Sequence, residues 1–479
     1  MADKDDILAE MREQEYLGVW WIPNGEENPH RVTGILHVVE GERLELQVLG
    51  SLSVNDNDES LDNYPVVNGA SHGLNRFTIF NMSVTRRVSN KFESDDLVES
   101  NLWGIEAWVG RECYARKEDI SFFNLSSGMF GLSAWHNINP FSVSFNWDEH
   151  ATSLGYKRPD NVLLYEDASV TISIGYTWRG PGQSVGQTEA SVSHEAQIVI
   201  QSKNGKLAYY GDSRSYECYL NTVRTILGLM TGAPAPLYNC TGLLRKYELP
   251  QDGQPFVPEI ILKRTWRRDM PKLSDKGLSP YDVLVPYKFV RNIKEVVGRF
   301  FSLPKFVRDY AGHLVYLNGC DSKMTQGALS ELVYMFEGIH RELHGAKPRL
   351  ILSFIDELTR LASVFPYLND DEMGLSLSVF IKKRRDNYSH ANPDDYHAEI
   401  RLFMFAKMWM HQFITAMILV ECGMDPEDLH KIFSNNHLYN NIAKELPPLI
   451  RDHRRLYPNE LENMKKTLGD STGSTPLTQ

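Results

Sequence analysis

The apolar residues of this chain change their spacing near residue 216, and this change limits what the chain can fold into. From Tyr16 to about Tyr210 they come in short alternating runs such as Leu44-Glu45-Leu46-Gln47-Val48, the pattern of a half-buried β-strand. Beyond Tyr216 the spacing is that of helices with one apolar face. We therefore expect an α+β protein, with a β-rich antiparallel N-terminal module followed by an all-α helical bundle.

The strands of the first half can be placed approximately from these runs. Two tight turns are expected, one at Glu40-Gly41-Glu42 and one at Asn204-Gly205, because both are flanked by apolar runs and asparagine with glycine favours hairpins. The second turn would pair residues 198–200 with residues 207–209. Further runs predict strands at 34–39, 44–48, 77–84, 102–109, 120–125, 141–147 and 170–178.

In the second half, apolar stripes at helical spacing predict helices at 219–230, 329–343 and 350–365. Residues 400–420 are apolar nearly all round, as expected of a helix at the centre of a bundle. We expect an N-terminal domain at 1–285, with a helical and mixed segment from about 216, and a helical domain at 286–465. The small polar residues of 466–479 indicate a disordered tail.

Charge and cysteine content restrict the function. Acidic residues exceed basic ones by 62 − 50 = 12, which argues against a protein that coats nucleic acid but leaves room for a small basic site. Five cysteines without a C-x-x-C pair argue against structural zinc and a disulfide framework. The acidic N-terminus has no apolar core of a signal peptide, and the apolar stretch 408–420 is too short to span a bilayer. We expect a cytoplasmic protein without membrane contact.

One histidine pair invites a metal interpretation. His340 and His344 lie one helical turn apart, but the glutamate that should directly follow the first histidine of a metalloprotease motif stands one position later, at Glu342. The better interpretation is the surface face of an amphipathic helix. We expect neither a metal nor a cofactor.

The basic run Lys382-Lys383-Arg384-Arg385 is the densest of the helical half, and His390 follows shortly after it. Pro393 disfavours helix at the residue before it, so the run should lie close to a helix end. On an unbroken helix Arg385 and His390 would point about 140° apart. They could contact one phosphate only if the helix breaks between them or if two subunits contribute.

Arginine and histidine suit RNA cleavage. RNA carries its own nucleophile, the 2′-OH, so the reaction needs proton transfer and charge stabilisation. Histidine can move the proton, and arginine can bind the non-bridging oxygens. The alternative is a solvated helix end with an incidental histidine, since Arg308 and His313 have the same spacing.

Two segments resemble known families. Residues Arg385-Asp386-Asn387-Tyr388-Ser389-His390 resemble the R-x4-6-H motif of the HEPN superfamily of RNases, and SELVYMFEGIHREL resembles the HEPN helix that presents a glutamate, here Glu337. Residues 16–23, 34–36 and 46–50 resemble the N-terminal domain of ApeA-type abortive-infection proteins, which pair a β-rich module with a HEPN domain.

The resemblance implies a metal-independent endoribonuclease of bacterial anti-phage defence that cleaves tRNA, acts as a homodimer and is restrained by its N-terminal module until a phage product arrives. Arg384 could be the working arginine instead of Arg385, and many members carry Asn where this chain has Asp386. A non-catalytic sensor protein, whose helical domain only transmits binding, is the alternative. The implied catalytic residues are Arg385, His390, Arg384 and Glu337, and the implied substrate-binding residues are Lys382, Lys383, Asp386, Asn387 and Tyr388.

Overall fold

The computed structural model describes most of the chain as two compact units. Unit 1 comprises 1–133, 138–224 and 236–277, and unit 2 comprises 134–137, 225–235 and 278–479. The described residues are 14–38, 44–53, 63–71, 75–92, 95–104, 106–148, 150–180, 192–211, 214–244, 260–265, 278–317, 326–345, 350–369, 371–389, 400–459, 461–463 and 465–466. The predicted tail beyond 466 and the predicted turn at 40–42 therefore lie outside the description.

Unit 1 contains a closed six-stranded barrel. Its strands are β1 (Gln14–Trp21), β2 (Val32–Val38), β3 (Leu44–Leu49), β4 (Asn63–Ser71), β5 (Arg76–Phe92) and β6 (Asp95–Gly104). The order β5-β4-β1-β2-β3-β6 closes on itself because β6 also pairs with β5. Along β3, Leu44, Leu46 and Val48 are buried and alternate with exposed residues, as the sequence predicts. Trp20 lies among the same core residues, and its indole donates a hydrogen bond to the Gly34 carbonyl at 3.1 Å.

An open sheet continues from the barrel. The further described strands of unit 1 are β7 (Glu106–Gly110), β8 (Ser121–Phe122), β9 (Asn124–Met129), β10 (Phe141–Asn146), β11 (Ala151–Tyr156), β12 (Val162–Glu166), β13 (Val170–Arg179), β14 (Ser193–Ser202), β15 (Leu207–Ala208), β16 (Leu237–Leu243) and β17 (Ile260–Thr265). The first residues of β5 pair with β7, and later residues of the same strand pair with β6, so β5 belongs to both parts. All pairings between the described strands are antiparallel, and the sheet continues from β7 in the order β17-β16-β9-β14-β13-β12. Strands β8, β10, β11 and β15 lie outside this large sheet.

The predicted hairpin at Asn204-Gly205 is wrong. Gly205 does adopt the positive φ of +102° that suits a turn. However, β14 pairs with β13 on one edge and β9 on the other, so it has no free edge for β15. The chain turns there, and β15 instead pairs with β8 in a separate small sheet.

Unit 2 is helical, and polar side chains define where several of its helices begin. Asn292, Asp425 and Asn436 each accept a hydrogen bond from a backbone N–H in the first turn of the helix that follows. The helices of the described chain are α1 (Leu132–His136), α2 (Tyr216–Thr231), α3 (Ile293–Ser302), α4 (Lys305–Leu317), α5 (Gln326–His344), α6 (Leu350–Arg360), α7 (Asp371–Ser389), α8 (Ile400–Glu421), α9 (Pro426–Phe433) and α10 (His437–Leu456).

Helix α8 forms the core of unit 2. It is longer than the 13-residue apolar stretch suggested, and by length and composition it alone among the described helices could cross a membrane. However, 72% of its apolar window is buried inside the protein, as expected of a core helix. The overall class is thus α+β, as predicted, with a β-rich antiparallel region followed by a helical region.

Two short segments from earlier in the chain belong to unit 2. Buried Trp135 donates its indole N–H to the carbonyl of Val285 at 2.8 Å. The backbone N–H of Val285 in turn donates to the carbonyl of Met230 at 2.7 Å. These bonds attach the end of α2 and the residues around Trp135 to the segment that leads into the helices.

Candidate functional site

The basic run lies in the last turns of α7, and the helix distributes its side chains over different faces. Ile381 and Phe380 are buried in the bundle. Because successive residues turn by about 100°, Arg384 and Arg385 point in different directions. Arg384 is buried, whereas Arg385 is partly exposed. The run is therefore not one continuous basic patch.

Arg385 is held by two carboxylates. Its Nη1 donates to Glu337 Oε2 on α5 at 3.2 Å, and its Nε and Nη2 donate to Asp386 Oδ1 at 3.1 and 2.9 Å. The guanidinium also lies 5.9 Å from the ring centroid of Tyr334, one turn before Glu337. The Arg385 side chain is 19% exposed, so it lies at the protein surface but in a fixed orientation.

The neighbouring basic residues have other surroundings. Arg384 is only 5% exposed, and its guanidinium lies 5.4 Å from the ring centroid of Phe380. Lys383 Nζ lies 5.1 Å from the ring centroid of Tyr457, which follows α10. Both side chains therefore contact the bundle, and neither shares the face of Arg385.

Lys382 completes the group around Arg385 because its ammonium forms an ion pair with Asp386 Oδ2. Burial by itself would raise the pKa of Asp386, but hydrogen bonds from Lys382 and Arg385 outweigh it and hold that pKa below its ordinary value. Asp386 is therefore a carboxylate at neutral pH. The structure thus brings together Lys382, Arg385, Asp386 and Glu337, two positive and two negative side chains with a formal sum of zero.

The remaining predicted site residues are only partly visible. Asn387 and Tyr388 lie within α7 by their backbone, but their side chains are outside the described part of the structure. His390 lies outside the described residues altogether, one position beyond the last residue of α7. The helix is continuous from Arg385 to Ser389, so a helix break, the first of the two alternatives that the sequence left open, does not occur within those five residues.

A second polar cluster lies inside unit 2, and it corrects the interpretation of the histidine pair. His340 is 1% exposed and therefore not on a surface face, and its Nε2 lies 3.4 Å from Asp356 Oδ2 on α6. His344 Nε2 lies 3.6 Å from Glu357 Oε2 and 3.6 Å from Glu421 Oε1. His340 is buried because α6 and the end of α8 pack against the side of α5 that carries the two histidines.

Arg360 links this cluster. Its Nη1 donates to both oxygens of Glu357, at 3.0 and 3.2 Å, and also contacts His344 Nε2, while its Nη2 donates to Glu421. Burial raises the pKa of Glu357 to about 7, even though the Arg360 charge acts to lower it. We name Glu357, Arg360, Glu421 and His344 the Glu357 cluster; Glu357 itself is fully buried, and the other three side chains are partly exposed.

A metal at these positions is not supported by the geometry. In the part of the chain that the structure describes, no group of three or more His, Cys, Asp or Glu side chains is arranged to hold a metal ion. The arginine between the two glutamates further disfavours a cation there, since it already supplies the positive charge.

Sequence reasoning did not identify Tyr334 or the Glu357 cluster. A signal for Glu357 was present, because it occupies a position of the apolar stripe of α6, three residues after Phe354 and seven after Leu350. A charged residue on such a stripe indicates a buried, paired group. For Tyr334 the signal was its spacing of one turn from Glu337, on the same side of α5.

These observations define a protein of two parts, an antiparallel β module built on a closed barrel and a helical bundle with an arginine–carboxylate site. A family model described as ApeA N-terminal domain 1 matches residues 15–299, and the chain belongs to the ApeA family. Membership implies a role in anti-phage defence. Neither a curated protein nor a solved structure matched the chain. The match covers the barrel, the open sheet and most of α3, and it ends before the helices that carry the candidate site.

Proposed function

We propose that this chain is a metal-independent endoribonuclease of anti-phage defence, acting on tRNA through Arg385 and His390 in a homodimer and activated by a phage-encoded product. The observation that carries this proposal is the placement of Arg385. It lies at the surface near the end of α7, oriented by Glu337 from the neighbouring helix and five residues before a histidine. A merely solvated helix end would not need a carboxylate from another helix to orient one of its arginines.

The proposed chemistry assigns different tasks to the two residues. Attack of a 2′-OH on the adjacent phosphorus forms a new P–O bond, breaks the bond to the 5′-oxygen, and leaves a 2′,3′-cyclic phosphate. His390 takes the proton of the 2′-OH or gives one to the leaving 5′-oxygen. Arg385 binds the non-bridging oxygens, on which negative charge increases in the transition state.

We assign the working role to Arg385 rather than Arg384. The buried guanidinium of Arg384 lies against Phe380, so binding an RNA phosphate would require it to leave the bundle. Glu337 is then a positioning residue, since in this proposal it acts through Arg385, whose Nη1 donates to it. In this proposal the protein binds its RNA substrate as a partner, and we expect it to work in the cytoplasm.

The test is cleavage of total tRNA by the full-length protein in EDTA, with the ends of the products mapped. We expect 2′,3′-cyclic phosphate ends. His390→Ala should reduce the rate by about 10²–10⁴-fold, and Arg385→Ala by about 10²–10³-fold.

Two substitutions on α10 serve as controls. His437 and Arg455 are exposed residues that do not belong to the proposed site, and His437→Ala and Arg455→Ala should cleave at the wild-type rate. Cleavage that survives both His390→Ala and Arg385→Ala would refute the site, and cleavage that disappears in EDTA would refute the metal-independent reaction.

A second candidate function is a non-catalytic sensor in which the helical unit only transmits binding. The observation that favours it is the β10–β11 hairpin, which exposes Phe145 by 63% and Trp147 by 80% with their rings stacked at 6.0 Å. Exposed apolar faces of this kind mark interaction surfaces. This candidate predicts that His390→Ala leaves phage defence intact, whereas the double substitution Phe145→Ser, Trp147→Ser abolishes it.

A further inference from the structure

In the conformation that the structure shows, all three nitrogens of the Arg385 guanidinium donate hydrogen bonds to carboxylates. Asp386 Oδ1 accepts from Nε and Nη2, and Glu337 Oε2 accepts from Nη1. The edge formed by Nε and Nη2 is one that guanidinium groups use to bind phosphate with two parallel hydrogen bonds. The carboxylate of Asp386 therefore lies where a substrate phosphate would lie.

The charges around Arg385 also oppose phosphate binding. Asp386 and Glu337 together balance Lys382 and Arg385. A phosphate that approaches this neutral group meets two carboxylates, and like charges at such short distances repel. The site in this conformation is thus poorly suited to bind RNA, although its residues are those the proposed reaction needs.

The ammonium of Lys382 is an alternative partner for the Asp386 carboxylate. It lies one turn before Asp386 on the same helix and already pairs with the other carboxylate oxygen, Oδ2. If the Asp386 side chain turned towards Lys382, the carboxylate would remain paired and the Nε–Nη2 edge of Arg385 would open. The exchange needs only a side-chain rotation, since no bond of the helix backbone changes.

We propose that Asp386 is an intramolecular competitor of the substrate phosphate, which occupies Arg385 in the resting protein and must give way before RNA binds. This inference rests on the proposed function and gives its site a means of regulation. It also changes the role of Asp386 from the substrate-binding residue that the sequence suggested to one that restrains binding.

The experiment measures RNA affinity and cleavage separately. Binding of fluorescently labelled tRNA is measured by anisotropy in the full-length protein with His390→Ala, so that the RNA stays intact, with and without Asp386→Asn. We expect Asp386→Asn to lower the Kd by about fivefold or more, because asparagine keeps the shape but loses the charge. In protein with His390 present, the same substitution should raise cleavage of tRNA without any phage product.

Asp452→Asn is the matched control. Asp452 is an exposed carboxylate on α10 that pairs with Arg455, so its substitution makes the same change in net charge without touching the site. We expect its effect on the Kd to be less than about twofold, as for other surface charges. Asp386→Ala removes the carboxylate altogether and should also lower the Kd for tRNA. If both variants bind more tightly, the effect comes from loss of the carboxylate and not from the new amide group of asparagine.

The outcomes distinguish this inference from the proposed function. Unchanged or weaker RNA binding in both Asp386 variants, with normal circular dichroism, would overturn the competitor role even if the wild-type protein cleaves tRNA. Tighter binding without cleavage by any variant would support the competitor role and refute the ribonuclease.

Discussion

Glu357 shows how one buried residue can make this protein sensitive to pH. Its side chain has no exposed surface and is hydrogen-bonded to Arg360 by both oxygens. Because burial raises its pKa to about 7, the folded protein binds the proton of Glu357 more tightly than the unfolded chain, whose carboxyl has the ordinary value of 4.5. The contribution to stability is thus fully present below pH 4.5 and is lost as the pH rises towards and through 7.

The substitution Glu357→Gln should remove this pH dependence. Wild-type protein is expected to lose up to about 3 kcal/mol of unfolding free energy between pH 4.5 and pH 8 from this group, and the variant should not show that loss. Urea denaturation followed by circular dichroism at both pH values measures it. Glu445→Gln is the control, since Glu445 pairs with the exposed Arg401. Equal pH dependence in wild type and Glu357→Gln would show that Glu357 is ionised throughout.

At the scale of elements, the barrel depends on close approach between strands. Trp20 on β1 is fully buried, and a Cβ added at Gly69 on β4 would lie 2.2 Å from its ring. The indole therefore occupies the space that a side chain at Gly69 would need. The two adjacent tryptophans of β1 therefore pack differently. Trp20 lies inside the barrel, whereas Trp21 is less buried and lies beside Arg31.

Gly69→Ala is therefore expected to destabilise unit 1 by at least about 2 kcal/mol, since a rigid ring and two paired strands must shift. The midpoint of thermal unfolding, followed by tryptophan fluorescence, should fall. Gly298→Ala in α3 is the control. A Cβ at Gly298 meets nothing within 4 Å, and alanine favours helix, so this variant should be stabilised by about 0.5–1 kcal/mol. An unchanged midpoint for Gly69→Ala would contradict the close packing of Trp20.

At the scale of the whole molecule, the net charge of −12 restricts how RNA could be held. An acidic surface weakens unspecific binding of RNA and leaves attraction to a few local basic groups. The structure further reduces the number of basic groups that could attract RNA, because the side chains of Arg384 and Lys383 contact the bundle. Of the basic run, Lys382 and Arg385 remain as the described side chains on the face of Glu337, and a dimer would double them to four.

The salt dependence of RNA binding should therefore be shallow. Four phosphate contacts predict a slope of about −3 for the logarithm of the binding constant against the logarithm of salt concentration. Anisotropy titrations between low and physiological salt, on protein with His390→Ala, measure this slope. A slope as steep as about −8 would instead indicate a broad basic surface that the charge balance argues against.

Local patterns predicted much of the fold and part of the site. The change of hydrophobic period near residue 216 predicts strands before helices, because the period of buried residues follows directly from backbone geometry. The pairing of β2 with β3 and the burial of Leu329 and Phe336 on α5 follow in the same way. The R-x4-6-H segment predicts a basic site near the end of a helix, and the resemblance to ApeA-type proteins is confirmed by the family match.

The tertiary structure alone decided the questions that depend on residues distant in sequence. Closure of the barrel depends on β6 returning to β5, and the failure of the β14–β15 hairpin depends on β9 taking the second edge of β14. Burial of His340 depends on helix α6 packing beside it. The spacing window admitted both Arg384 and Arg385, and only the tertiary structure shows that their surroundings differ, since Arg385 contacts Glu337 on α5 whereas Arg384 is buried against Phe380. Periodicity records which side of an element is buried, but the partner that covers it is set by the fold.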